Sequence, residues 1–523
     1  MFRSAVIFQM MRFLVGVLLC AVSATGVCAA DGPAASSAKP DKFNVVLVIL
    51  DALRPDHLGC YGYAKNTSPN IDALGKEGAI FKDAFTPFPL TLPGVVSMFT
   101  SLYPQSHQIK HIYKDRLSDK VYTLAQIVRI YGYSTAWFGA TSDPHTGAAP
   151  GLLRGFEKKR LLMPMWSADP VLSWIKQHDQ KPFFVTVHSY QTHEVIFPYA
   201  GFKNQFSLQA PSLFRDEIGR IDETGWRIMQ ENLKSHPGLL YDALGKAWVE
   251  KYRSLLTPPY SKKAVRDLYR VAGDNKRWNS IFAMLEGDPG LTLFRSYGTQ
   301  KTGYLLSLLD ASIWEVDRDL IGRLVATLKE RGVYDKTIII ITADHGNEYK
   351  DHGQIGHGPA LYDESLRVPL IVRVPGAKPG IQVDSLVEAV DILPSVCDIL
   401  GMPVPYQAQG ISWRRDLEGS PAQAAHSFVI SESIGTDLVA IRSKRWKLIM
   451  EAKSGKPKEL FDLEKDPHEL NNVIADRFEM SKELQDEYIL KVKELPLYQD
   501  GSSEFVAGVS DALREKIKKT GYW

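Results

Sequence analysis

The sequence predicts an α/β protein: a mixed, mostly parallel sheet with helices on both faces, followed by a smaller C-terminal α+β subdomain. Three observations carry this expectation. From Phe43 onward, short β-branched runs alternate with helical patterns. Those runs are apolar on almost every residue, as strands covered on both faces require. After about Pro405 the pattern changes to short strands and one charged helix.

Val45–Leu50 is the first run and reads as a central strand; Ser134–Phe138, Phe183–Val187, Thr337–Ile341 and Pro369–Val374 follow. Between them lie the helical patterns Ser68–Lys76, Thr123–Arg129 and Ala311–Leu328. These blocks, 43–199 and 304–405, are expected to form one catalytic domain. Residues 200–303 separate them, helical in pattern and without a strong strand run, and read as an insertion: a wall over the site or a separate structural subdomain. In 406–495, strands are expected at Phe428–Ser431, Leu438–Arg442 and Trp446–Met450, with a helix over Glu479–Leu495; 496–523 is a tail.

Residues 1–30 read as an export signal. Arg3 and Arg12 are followed by the apolar stretch Phe13 to Val22 and the small-residue site Cys28-Ala29-Ala30. A linker, 31–42, follows. The expectation is an exported protein, periplasmic or secreted, without a membrane span once the signal is removed; the opposing reading is an uncleaved anchor. With 62 basic and 60 acidic residues, the balance gives no support for nucleic-acid or membrane-surface binding. Cys60 and Cys397 would remain after cleavage and are expected to be free, buried thiols.

Ligands in parallel sheets gather at the carboxyl ends of strands. Asp51 follows the first run directly, Asp344 and His345 follow Thr337–Ile341, and His193 lies after Phe183–Val187. Two carboxylates and an imidazole from two strand ends suit one divalent ion. Thr91, in Thr91-Leu92-Pro93-Gly94-Val95, opens a helical pattern. It reads as an N-cap, or as a hydroxyl facing an anion at a helix start.

Several ordered motifs resemble the sulfatase family of the alkaline phosphatase superfamily. They are Asn44–Gly62 with its Asp51-Ala52-Leu53-Arg54-Pro55-Asp56, Thr67-Ser68-Pro69-Asn70, and Thr342-Ala343-Asp344-His345-Gly346 running to Gly356-His357-Gly358. Leu361–Arg373, Arg445-Trp446-Lys447 and Glu459–Pro467 follow the same pattern. The resemblance implies cleavage of a sulfate, phosphate or phosphonate ester at a metal-assisted nucleophile. It also implies a metal set of Asp51, Thr91, Asp344 and His345. His193 corresponds to a histidine near the leaving group, and His357 to a substrate-binding lysine.

Three departures shape the expectation. Thr91 stands where the family has the Cys or Ser that becomes formylglycine, so no formylglycine is expected. Ala52 stands where many members carry a second aspartate, and Asp-His replaces the common Asp-Asn. The imidazole moves the expected ion from Ca²⁺ toward Mn²⁺ or Zn²⁺. A threonine cannot expel sulfate by collapsing to an aldehyde, which favours a phosphate diester or phosphonate over a sulfate ester. The alternatives are a phosphoryl-group transferase acting on a glycan or lipid, and a binding protein without turnover. His188 is expected behind the ligands, and His352 and His145 in loops. Lys110 and His111 are possible contacts to a charged substrate or solvated loop residues.

Overall fold

The computed structural model describes residues 42–110, 115–139, 151–160, 168–178, 181–193, 302–419 and 426–498. The expected signal peptide, almost all of the insertion, His111, His145 and most of the tail lie outside the described residues.

The central sheet has eight strands: β1 (Asn44–Leu50), β2 (Ala79–Phe85), β3 (Ser134–Gly139), β4 (Lys158–Arg160), β5 (Phe183–Ser189), β6 (Thr337–Thr342), β9 (Arg367–Arg373) and β10 (Ile381–Glu388). Their order is β10-β2-β9-β6-β1-β5-β3-β4. A separate hairpin holds β7 (Glu348–Tyr349) and β8 (Ile355–Gly356). Only β9 runs against the rest, antiparallel to both β2 and β6, so the sheet is mixed and mostly parallel. β1 sits in the middle, parallel to β5 and β6. Every residue of these three strands is buried, which is why their sequences are nearly unbroken apolar runs.

β2 and β10 were not expected, for a visible reason. Lys82-Asp83 interrupts β2, and β10, at the sheet edge, leaves Gln382 and Asp384 exposed. Their apolar signal is therefore diluted.

Helices α1 (Pro69–Glu77), α2 (Thr91–Thr100), α3 (Leu124–Ile130) and α4 (Asp169–Gln177) follow strands or loops of the first block. Thr123 caps α3 through a reciprocal box: its hydroxyl accepts from Gln126 N–H at 3.2 Å and its own N–H donates to Gln126 Oε1 at 3.0 Å. The helix expected over Ala311–Leu328 is interrupted. It consists of α5 (Thr302–Val316), a π-helical turn at Asp317–Gly322, and α6 (Arg323–Glu330). The turn directs Asp317 onto the free N–H groups of α1, accepting from Asn70 N at 3.0 Å and Ile71 N at 2.8 Å. Helix α7 (Ile392–Ile399) packs beside α2.

The C-terminal subdomain is an antiparallel meander of β11 (Val429–Glu432), β12 (Leu438–Arg442), β13 (Trp446–Glu451) and β14 (Pro457–Asp462), followed by α8 (Phe478–Lys493). Ile430, Val439, Ile441, Leu448 and Leu460 share a core with Leu484 and Tyr488 of α8. β14 is a fourth strand beyond the three expected.

Candidate metal centre and active site

Asp51 leaves the end of β1, its N–H bonded to Ser189 O of β5 at 2.9 Å. Ala52 then takes a left-handed backbone, φ 56°, and its N–H donates to Asp344 Oδ1 at 3.2 Å. A non-glycine residue in that region costs about 1–3 kcal/mol and persists where its surroundings dictate it. Here it ties the two carboxylate-bearing strand ends together.

Asp344 and His345 follow β6 and are fully buried with Asp51. One donor atom from each of the three lies within 4.8 Å of the others. His345 Nδ1 lies 2.8 Å from Gly346 O; donating its proton there leaves Nε2 as the lone-pair nitrogen. That nitrogen is 3.7 Å from both Asp51 Oδ1 and Asp344 Oδ2. Among the described residues, neither of these carboxylate oxygens has a hydrogen-bond partner. Two buried carboxylates facing an imidazole lone pair are the chemistry of a cation site, so the residues fit a divalent ion. Burial opposes ionisation of Asp344, but His345 and His188 hold its carboxyl well below the ordinary range.

Thr91 is the first residue of α2, and its N-cap is Leu90. Its hydroxyl makes no capping bond, so the cap reading fails. It lies instead 3.2 Å from His345 Nε2 and 3.5 Å from Asp51 Oδ2. The helix start can come this close because Gly94 has no side chain: a Cβ there would stand 2.7 Å from Asp344 O. Gly346 serves likewise, with Glu364 O only 2.0 Å from where its Cβ would be.

His357 lies beyond β8, its ring 4.1 Å from the His345 ring between centroids. Its Nδ1 faces Pro89 O at 3.2 Å, and its Nε2 meets His193 Nε2 at 3.1 Å. With Nδ1–H given to Pro89, the bond between the two imidazoles carries the His193 proton. Tyr190 stacks on His193 at 4.5 Å. Burial pushes the His193 imidazole down to about 4 and His357 well below its ordinary value. Both are therefore neutral near pH 7 until an anion joins them. All six residues singled out from the sequence thus meet at one end of the sheet.

Other residues fall differently. His188 is part of the cluster rather than behind it: Nε2 is 3.2 Å from Asp51 Oδ2 and 3.6 Å from Asp344 Oδ2. Burial lowers its basicity, but Asp344 and Asp51 outweigh that and raise it to about 9. Its place follows from the pairing of β5 with β1, which sets His188 opposite Ile49. His352 is not solvent-facing; it stacks on Tyr362 and contacts His468 O at 3.1 Å. Lys110 is paired with Glu432. Asp310 anchors the loop after β1, accepting from Lys65 Nζ at 2.7 Å and Tyr63 Oη at 2.8 Å, and facing His57 Nδ1 at 2.8 Å. Cys60 and Cys397 are free thiols, Cys397 buried and Cys60 partly so.

The sulfatase family model matches residues 43–402. This chain belongs to the sulfatase family. It is thereby a member of the alkaline phosphatase superfamily and an ester hydrolase by kinship. A second model, the N-sulphoglucosamine sulphohydrolase C-terminal region, matches residues 357–495. The chain is 23% identical over 495 residues to a Delta 4,5-hexuronate-2-O-sulfatase of Bacteroides thetaiotaomicron, covering 88% of this chain and 91% of that one. Among solved structures, one determined with its substrate D-glucosamine-2-N,6-O-disulfate superposes with a TM-score of 0.64 at 21% identity, over 87% of this chain and 98% of that one. The phosphonate monoester hydrolase of Agrobacterium radiobacter gives 0.61 at 24% identity, over 86% and 95%. These two likenesses establish the fold.

Proposed function

We propose that the chain is a metal-dependent hydrolase that cleaves an anionic ester through Thr91, with a phosphate diester or phosphonate ester preferred to a sulfate ester. The observation that carries this reading is the position of the Thr91 hydroxyl, 3.2 Å from His345 Nε2 and 3.5 Å from Asp51 Oδ2 at the first residue of a helix. A divalent ion held by Asp51, Asp344 and His345 supplies, when bound, positive charge that favours an ionised neighbouring hydroxyl and steadies anionic oxygens. Mn²⁺ or Zn²⁺ suits the imidazole better than Ca²⁺.

The residues divide the work. Thr91 forms the bond to phosphorus as the bond to the leaving oxygen breaks, and its proton is the one that reaches the leaving oxygen. The free N–H groups at the start of α2 face the same region and attract the anion's non-bridging oxygens. An anion beside His193 and His357 raises their basicity, so the pair picks up a proton and passes it to the leaving oxygen. Water then attacks phosphorus, releases Thr91 and returns a proton to the pair. Sulfate and phosphorus esters both occur among the likenesses, in the glucosamine disulfate complex and the phosphonate monoester hydrolase. The preference therefore rests on Thr91: without an aldehyde to form, release needs direct attack by water. Export to the periplasm or beyond fits the basic-then-apolar start of the sequence.

The test is turnover of paired aryl sulfate, phosphate diester and phosphonate substrates by metal-loaded protein, with Thr91→Ala as control. The phosphorus esters are expected to be turned over, and the variant to lose that activity. Activity indifferent to Thr91→Ala overturns the nucleophile, and turnover of the sulfate alone reverses the ester preference.

A further inference from the structure

The end of β11 and the turn that follows it leave the C-terminal subdomain and lie across two segments of the active site. On one side Ser431 Oγ donates to Thr86 O at 2.8 Å and Glu432 N–H to Pro87 O at 3.0 Å, in the run that leads to Thr91. On the other, Ile434 N–H donates to Gly358 O and Thr436 Oγ1 to Pro359 O, each at 3.1 Å, just past His357. One turn therefore grips both segments.

Ile434 is the centre of this bridge. Its side chain is buried with Phe88 and Leu90 in a small apolar cluster, separate from the main core among the described residues. Phe88 and Leu90 flank Pro89, whose carbonyl oxygen faces His357 Nδ1 at 3.2 Å. The fit on the histidine's side is as close. Gly358 has a left-handed backbone, φ 103°, and a Cβ there would stand 3.0 Å from Ile434 Cγ2. The same isoleucine thus lies against the neighbours of the acceptor and against the residue that follows the ring.

The bond it frames decides which nitrogen His357 presents. With Nδ1–H given to Pro89 O, Nε2 is left to face His193 Nε2 at 3.1 Å. Thr91 is placed separately, by the contact of Gly94 with Asp344 O.

We propose that Ile434 is a positioning residue for proton delivery: it keeps Pro89 O and His357 together, and so fixes the tautomer and orientation of the ring that works with His193. The C-terminal subdomain thereby supplies part of the catalytic geometry. This rests on the proton-passing role proposed above for the two histidines and names what enforces it.

Two readouts test it in protein supplied with Zn²⁺. In ¹⁵N-histidine-labelled protein, the His357 Nδ1–H signal is assigned by its absence from His357→Gln. It is expected to be protected from solvent exchange in wild type and to lose that protection in Ile434→Ala. Equal protection in both overturns the proposal, whatever the kinetics show. The second readout compares a phosphonate ester whose alkyl leaving group needs the proton with a nitrophenyl ester whose leaving oxygen departs as a stable anion. Ile434→Ala is expected to lower kcat about 100-fold for the alkyl ester and less than about 10-fold for the nitrophenyl ester. Equal losses, or none, overturn the proposal. Ile434→Val is expected to fall between wild type and Ile434→Ala in both readouts, and it carries the same comparison if Ile434→Ala does not fold. A wild type that turns over neither ester removes the proton-passing reading; the exchange measurement then still decides whether Ile434 holds the His357–Pro89 bond.

Discussion

Gly94 packs against the carbonyl oxygen of Asp344 so closely that a Cβ at position 94 would meet it at 2.7 Å. A backbone oxygen at the end of a central strand cannot swing aside as a flexible side chain can. This contact fixes how deeply the first turn of α2, and with it Thr91, enters the cluster. Gly94→Ala is expected to keep the fold but lower turnover by about 10–100-fold, because small displacements of a reacting group are costly. Steady-state kinetics and circular dichroism check this. Unchanged turnover would show that Thr91 is placed by something else.

Asp51 and Asp344 put two buried carboxylates beside each other at the strand ends. Binding of an ion to the folded state alone adds about 2.7 kcal/mol at 100 times its Kd. Zn²⁺ or Mn²⁺ is therefore expected to raise the melting temperature by several degrees, and a chelator to reverse the rise. Asp344→Asn should remain folded without metal but lose most of the metal-dependent increase. Scanning calorimetry with and without chelator distinguishes these outcomes.

Much of this site was legible because strand ends announce themselves. Asp51 and Asp344-His345 each follow an apolar run, and parallel strands bring such ends together. Thr91 was visible as a helix start, but not that Leu90 would be the cap and free its hydroxyl. The place of His188 is not legible in the sequence because it depends on register: β5 must pair with β1 so that position 188 meets Ile49. The π-helical turn at Asp317 was hidden for a similar reason, since its cause is the N-terminus of α1, distant in sequence. Features decided by one segment's pattern could be read; those decided by a remote partner could not.

Lys447 on β13 is completely buried, its ammonium 2.8 Å from Asp363 Oδ1 and 2.6 Å from Glu469 Oε1. Glu469 in turn accepts from Asp363 N–H at 2.6 Å. Two residues on, Ser365 O accepts from Gly346 N–H at 2.9 Å, beside His345. The C-terminal subdomain thus holds the turn against which the His345 loop is fixed. Lys447→Met removes the cation and leaves two buried carboxylates facing each other, at a cost of about 3–5 kcal/mol. Urea denaturation is expected to show that loss. A change below 1 kcal/mol, on the order of an exposed pair, would mean the triad contributes little.

Glu348, three residues beyond His345, is buried, and its Oε2 has no partner among the described residues. Burial, followed by the Glu364 and Asp351 carboxylates, pushes its carboxyl up to about 7 against the opposing pull of Arg54. Because the folded value lies above the unfolded 4.5, the folded state binds the extra proton. Its contribution to stability is therefore complete below 4.5 and lost as pH rises toward about 7. Glu348→Gln keeps the shape and removes the titration. The variant is expected to gain stability relative to wild type through that interval and hold the gain above it, with no growing difference below it. Denaturation midpoints of both proteins across the interval measure this directly. A difference that does not change with pH would show that Glu348 ionises in the folded protein as readily as in the unfolded chain.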